Sequence, residues 1–395
     1  RRCTLDVRRH VLRRLVVIST LIFLFASVPA VSRGADVAGT EKPHGTSIVG
    51  FLSGHGELTP DSGFSEAAAA LGEEFEVIDI DLSEGRSGLD GVTTVIVAGA
   101  PDIRDVELYE LDQFLMRGGR IAFFLDAATI PDSGYQANIA EGNIFGFLSA
   151  YGVTVNPDLV LDFESAGRAS WHDVRTNLPY AYWLVVRKEN INSEVPPLSD
   201  VSALPFAWTS SISVSDDSAG DSEVIEVLRS SGYSWTVPAY SDIDPKRELS
   251  PLGRDAMTII EGNGPGHTLA VVVEGVFNSA FSGKRLIVET DGRPRFTDPV
   301  DMVEQSEPTR IVVFGSSHLF NDELTDEFPG NVEIFRRVVS WLTTSAAPVL
   351  EAEDSGVSGY RPGTRGVRAL LAVAGVFALI WATVMLVGRM RKRMY

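Results

Sequence analysis

The run Val92-Thr93-Thr94-Val95-Ile96-Val97-Ala98 is unbroken and rich in apolar, β-branched residues. A strand with one wet face alternates apolar and polar residues, whereas such a run suits a strand covered on both faces. Further strand-like runs occupy Thr46 to Leu52, Phe75 to Ile80, Arg120 to Leu125, Leu269 to Glu274 and Arg310 to Gly315, with a short one at Leu159 to Leu161. Helical spacing lies between them, over Phe64 to Glu74, Asp105 to Met116, Asn143 to Tyr151 and Asn331 to Leu342. In the second of these Leu108, Leu111 and Leu115 share a face, and Gly118-Gly119 supplies a stop. In the last, Val332, Phe335, Val339 and Leu342 share one. Strands alternating with helices build βαβ units, so an α/β fold is expected, its sheet mostly parallel and flanked by helices. From Ser165 to about Gly266 the rhythm changes. Short apolar runs, frequent turns and aromatics such as Trp171, Trp183, Trp208 and Trp235 predict a β-rich insertion.

Both ends are apolar and bordered outwardly by cations. Leu15 to Val31 follows Arg8, Arg9, Arg13 and Arg14, and Val367 to Val387 precedes Arg389, Arg391, Lys392 and Arg393. Cations stay on the cytoplasmic side of a membrane. Terminal transmembrane helices are therefore expected, with the interior outside the bacterial inner (cytoplasmic) membrane. Ala26-Ser27-Val28-Pro29-Ala30 also resembles a signal-peptidase site, so the first segment reads as an anchor or a cleaved signal. The expected divisions are 1–35 for that segment, 46–163 for the first part of the α/β domain and 164–267 for the insertion. The second part of the domain follows over 268–344, then a linker over 345–366, a membrane helix over 367–388 and a basic cytoplasmic tail over 389–395. The formal net charge is −19, with cations gathered at the ends. That balance argues against nucleic acid as a partner, because such binding rests on neutralising phosphates. Cys3 is the single cysteine, so the interior has no disulfide, thiolate nucleophile or cysteine metal site.

In an open parallel sheet, ligands bind beyond the carboxyl ends of the strands. Four expected strand ends carry polar groups: Ser53-Gly54-His55-Gly56-Glu57, Gly99-Ala100-Pro101-Asp102, Asp126, and Gly315-Ser316-Ser317-His318. The candidate rim is thus His55, Glu57, Asp102, Asp126, Ser316, Ser317 and His318. Histidine and carboxylate ligands suit Zn²⁺ or Mn²⁺, and a serine beside a histidine makes a nucleophile–base pair. Polar residues at strand ends also cap helices and satisfy loop backbone. Capping, ligand or partner binding, and catalysis all stay open at this stage. The sequence has no H-E-x-x-H, G-x-S-x-G or G-x-x-x-x-G-K-[ST], so no catalytic residue, metal or cofactor is assigned. Gly262-Asn263-Gly264-Pro265-Gly266-His267 precedes a strand, whereas a phosphate cradle opens a helix, and it reads as a tight turn. His172-Asp173 reads as a surface loop pair.

The stretch Phe51-Leu52-Ser53-Gly54-His55-Gly56-Glu57 resembles the glycine–histidine–glycine–glutamate signature opening the exported domain of gliding-motility-type ABC transporter auxiliary proteins, the GldG family. Matching segments follow in order: Val95 to Pro101, Leu111 to Asp126, Phe147-Leu148, Tyr151-Gly152-Val153, Val313 to Phe320, Gly330-Asn331 and Trp341-Leu342. The resemblance spans about 46–163 and 310–390. It implies a membrane-anchored extracytoplasmic domain, glutamine-amidotransferase-like or flavodoxin-like in fold, without the amidotransferases' catalytic cysteine. It also implies an ABC-2 type permease and a cytoplasmic ATPase as partners. His318 departs from the acidic residue many relatives carry there. The expected function is a non-enzymatic auxiliary subunit of an ABC-2 type transport complex. The alternative is a membrane-tethered hydrolase, or a sugar- or peptide-binding module.

Overall fold

The unbroken run at residue 92 lies where its pattern predicts, inside a seven-stranded sheet with neighbours on both sides. The computed structural model describes residues 47–346, apart from Glu84, Ala100, Pro101, 165–179, 216–219, 246–260, Asp291, Gly292 and Asp326. The sheet strands are β1 (Ile48–Ser53), β2 (Glu76–Asp81), β3 (Val92–Gly99), β4 (Arg120–Leu125), β5 (Gly220–Arg229), β6 (Thr268–Phe277) and β7 (Thr309–Phe314). Their spatial order is β5-β6-β7-β4-β3-β1-β2. The helices are α1 (Ser65–Gly72), α2 (Asp105–Met116), α3 (Ile144–Ser149), α4 (Asp322–Thr325) and α5 (Gly330–Thr344).

Side chains alternate across a strand, so each central strand feeds two cores. Val49, Phe51, Ile96, Ala98, Phe124 and Phe314 meet Leu71 of α1 and Phe335 and Val339 of α5 on one face. Leu52, Val95, Val97, Phe123, Leu125 and Val313 meet Leu111 and Leu115 of α2 and Phe147 of α3 on the other. The Phe124 ring lies 5.2 Å from the rings of both Phe320 and Phe335. The stop of α2 is a glycine cap. Gly118 takes φ +87°, and the Gly118 and Gly119 N–H groups donate to Leu115 O (3.0 Å) and Phe114 O (2.9 Å). This is the Schellman pattern that the Gly-Gly pair predicts.

Two parts of the expected architecture are corrected. The sheet is mixed: β2, β1, β3, β4 and β7 pair in parallel, but at one edge β6 is antiparallel to both β7 and β5. A strand buried on both faces gives the same apolar run in either direction, so Leu269 to Val273 carry no sign of orientation. The terminal transmembrane helices have no counterpart among the described residues, where no helix is long and apolar enough to cross a membrane. The longest, α5, has 15 residues and reaches ~22 Å, against ~30 Å of hydrocarbon. The apolar ends, Cys3, most of the linker, Trp171 and His172-Asp173 lie outside the described residues.

Strand β5 falls within the stretch expected as an insertion yet forms an edge of the main sheet. The rest of that region, with strands bordering it, makes short antiparallel pairs: Asp158–Asp162 with Ser234–Pro238, Trp183–Arg187 with Ala203–Ala207, and Val153–Val155 with Ile212–Val214. Its aromatics turn inward, with Tyr180, Tyr182, Trp183 and Trp208 all buried in one cluster.

Candidate functional site

The loop after β1 folds back over the sheet on two glycines in the left-handed region, Gly54 (φ +112°) and Gly56 (φ +86°). Leu58 N–H then donates to Ala98 O (3.1 Å), and Asp126 N–H to Gly99 O (3.2 Å). The chain beyond β1, β3 and β4 is thereby laced into one rim.

His55 sits there between two buried carboxylates. Its Nδ1 lies 2.9 Å from Glu57 Oε1 and its Nε2 2.9 Å from Glu107 Oε2. Its backbone N–H donates to Glu57 Oε2 at 2.6 Å. Each ring nitrogen thus has a carboxylate as its hydrogen-bond partner. Glu107 is the third residue of α2. It also accepts from the Arg104 backbone N–H (3.2 Å) and from the Arg104 guanidinium. Burial raises the Glu107 pKa, but the Arg104 hydrogen bond and the His55 charge outweigh it and hold the carboxyl below its usual range. Asp81, at the end of β2, is held low first by the Ser83 backbone N–H (2.8 Å) and next by its side chain, with His55 and Arg104 adding. A ring with both nitrogens engaged by carboxylates has neither one turned to a metal or to a nucleophile.

A second cluster joins the ends of β4 and β7. Asp126 accepts the Ser317 backbone N–H (2.6 Å) and the Ser317 hydroxyl. Ser316 Oγ donates to Ala207 O (3.0 Å) and accepts from the His318 backbone N–H (3.1 Å). Both serines are buried, and neither hydroxyl proton is directed at a histidine ring. His318 Nδ1 lies 3.3 Å from Asn321 Nδ2, and its ring meets Trp208 edge-on at 5.2 Å. Trp208 holds φ +47°, a conformation that persists in a bulky residue only where its surroundings over-determine it. Here its indole donates to the Tyr180 hydroxyl (3.1 Å) and packs on Trp183 at 5.5 Å. Asn321 Oδ1 is buried with no hydrogen-bond partner among the described residues.

The two clusters are separate. Strands β3 and β4 intervene between β1 and β7, and three strand spacings of ~4.8 Å make about 14 Å. No single ion bridges His55 and His318 across that span. Among the described residues no group of three or more His, Cys, Asp or Glu is placed to hold a metal. Asp102 stands exposed on the connection to α2. The structure thus brings Glu57 to His55, and Ser316, Ser317 and His318 to Asp126 and its neighbours. Sequence reasoning misses Glu107, Arg104, Trp208 and Asn321. For Glu107 a signal exists: an acid at the third helical position commonly reaches back to the helix start.

The family model described as "ABC-type uncharacterized transport system" matches residues 47–337. The chain belongs to this family. A protein of Borreliella burgdorferi described as uncharacterized is 21% identical over 279 residues, which are 69% of this chain and 49% of that protein. The chain spans about half the length of this relative. Among solved structures, the "mmIFT52 N-terminal domain" superposes with a TM-score of 0.46 at 16% identity, covering 76% of this chain and 100% of that one. A ThuA-like protein of Bacteroides uniformis gives a TM-score of 0.36 at 12% identity, covering 79% and 94%.

Proposed function

We propose that this chain is a non-catalytic subunit of an ABC-2 type transport complex. It works on the extracytoplasmic face of the bacterial cytoplasmic membrane, beside a permease and a cytoplasmic ATPase. The family to which residues 47–337 belong supports the transport role. The observation that carries the non-catalytic reading is the condition of the rim. His55 is bonded through both ring nitrogens, and the two serine hydroxyls are directed to Asp126 and to a backbone carbonyl. ATP hydrolysis falls to a partner, since this sequence has no G-x-x-x-x-G-K-[ST] loop. Affinity purification of the full chain from crosslinked, solubilised membranes tests the proposal. A permease and an ATPase are expected to co-purify, and recovery of the chain without either overturns it.

Ligand binding at the Asp126–His318 cluster is a second reading. It is favoured by the partnerless Asn321 Oδ1 and by the left-handed Trp208 beside it. Sugars and short peptides screened by thermal shift test it. A ligand that raises the Tm of the parent but not of His318→Ala supports this reading. A panel with no effect on the parent ends it.

A further inference from the structure

Strand β2 is an edge of the sheet, paired among the described residues with β1 alone. The Glu76 N–H donates to Ser47 O (3.2 Å), and Ile80 O accepts from Ser53 Oγ (3.1 Å). Backbone groups on a strand turn alternately to its two sides, so Val77 and Asp79 turn theirs outward. Among the described residues nothing bonds these two N–H and two C=O groups. Beyond them the turn at Arg86–Leu89 covers the end of the strand, where a Cβ on Gly88 would stand 3.0 Å from Asp81 O.

Val77 and Asp79 lie two positions apart and share the face toward α1, where Val77 packs against the core. Between strand and helix is a cleft of about 360 Å³, lined by Val77 and Asp79, by Ala68 and Ala69 of α1, and by Pro60. Its lining is apolar apart from Ser65 and Asp79. Burial, and then the charge of Asp61 next to Pro60, push the Asp79 carboxyl above its usual range. Neither acid forms an ion pair among the described residues. From residue 58 to 82 the chain carries seven carboxylates and no lysine or arginine. Arg86, the next cation along the chain, follows the covered end of the strand. On α5, Arg336 is held by Glu74 and Glu333, and Arg337 by Asp200.

Charge on an edge strand commonly blunts it against further pairing. Here it excludes a second copy of this chain, which would set three carboxylates against three. It does not exclude a cationic strand, and blunting needs no cleft beside the edge. We propose that β2 is a docking edge for an extended, basic segment of a partner protein, which adds to the sheet as a further strand. Its backbone bonds Val77 and Asp79. A lysine or arginine lays its stem along Ala68, Ala69 and Val77 and brings its charge to Asp79. Such side chains bury an apolar stem and keep the head at a polar rim. Strand addition draws affinity from backbone bonds and specificity from side-chain pockets. The opposite edge, β5, is partly taken, because Asn192 already bonds Val227 O (2.9 Å) and Glu226 O (3.1 Å) there.

The test titrates the full chain, solubilised in neutral detergent, into a fluorescein-labelled heptapeptide of alternating valine and lysine with blocked ends. Anisotropy is expected to report binding, and none to the valine–glutamate counterpart. Methylating every backbone nitrogen of the peptide leaves its charge intact and is expected to weaken binding about tenfold. Asp79→Asn is expected to weaken it about fivefold. Ala69→Phe, which fills the cleft from an exposed helical position, is expected to abolish it with circular dichroism unchanged. Glu223→Gln, exposed on β5 at the other edge, is expected to bind like the parent. Failure of the lysine peptide to bind overturns the proposal. Equal binding of the methylated peptide also overturns it, since charge alone would then hold the peptide. A loss that follows Glu223→Gln rather than Asp79→Asn does the same. No permease or ATPase enters the measurement, so its failure leaves the transport reading untouched.

Discussion

Glu107 is hydrogen-bonded to His55 and Arg104 while buried, so both partners are arranged around its carboxylate. Glu107→Gln keeps the shape and removes its charge. Breaking a buried pair in this way costs about 3–5 kcal/mol when the remaining charge stays unpaired. Because Gln retains part of the bonding, a loss of roughly 2–4 kcal/mol is expected in urea melts at neutral pH. The pH dependence follows from the direction of its shift. The folded carboxyl sits below its usual range. Its contribution is therefore complete above the unfolded value of ~4.3 and is lost as pH falls through the folded one. Stability of the parent should drop below about pH 5 more steeply than that of Glu107→Gln, and parallel acid limbs would refute this. His55 and Glu57 are legible in the sequence because two positions separate them. Glu107 is not, because it lies 52 residues from His55 and only the fold joins them.

Helix α1 begins behind Phe64, which supplies no cap of its own. The cap comes from Asp322 at the start of α4, whose carboxylate accepts the Ser65 (2.8 Å) and Glu66 (3.0 Å) N–H groups. Burial raises the Asp322 pKa, yet these backbone bonds outweigh it and hold it below the usual range. Asp322→Ala is expected to lose about 1 kcal/mol, as other cap removals do, whereas Asp322→Asn keeps the acceptor and loses less. Equal losses in chemical denaturation would show that the backbone bonds are not what Asp322 contributes. Elements of this kind divide by how local their cause is. Strand β4 and helix α2 are legible to the residue, because an apolar run or helical face ends at Leu125 or at Gly118-Gly119. The capping of α1 is not, since donor and acceptor are 257 positions apart. Strand β5 hides for another reason. As a half-covered edge its sequence, GDSEVIEVLR, sets Glu223 and Glu226 three positions apart among apolar residues, without a clean strand alternation, and reads as part of the polar insertion.

At the scale of the molecule, the β-rich region and the main sheet share their interior. Leu184, Val186, Leu204 and Phe206 belong to the same core as Phe51, Phe124 and Phe335. The aromatic cluster around Trp183 takes in Leu324 of α4. The join extends to the backbone, where the Ser210 N–H donates to Gly315 O at 2.7 Å and a Cβ on Gly315 would stand 2.3 Å from Ser210 O. Because these β-rich-region side chains complete the core of the main sheet, unfolding is expected to be a single transition across both parts. Tryptophan fluorescence reports chiefly on Trp183, Trp208 and Trp235, and far-UV circular dichroism reports on the whole. The two melts should coincide. Phe206 is buried and stacks on Phe314 of β7 with centroids 6.5 Å apart. Phe206→Ala should therefore lower both curves together by an amount equivalent to about 3–5 kcal/mol. Separate midpoints, or a variant in which fluorescence alone moves, would mean that the β-rich region folds on its own. The shared core would then be contact between two units rather than the interior of one.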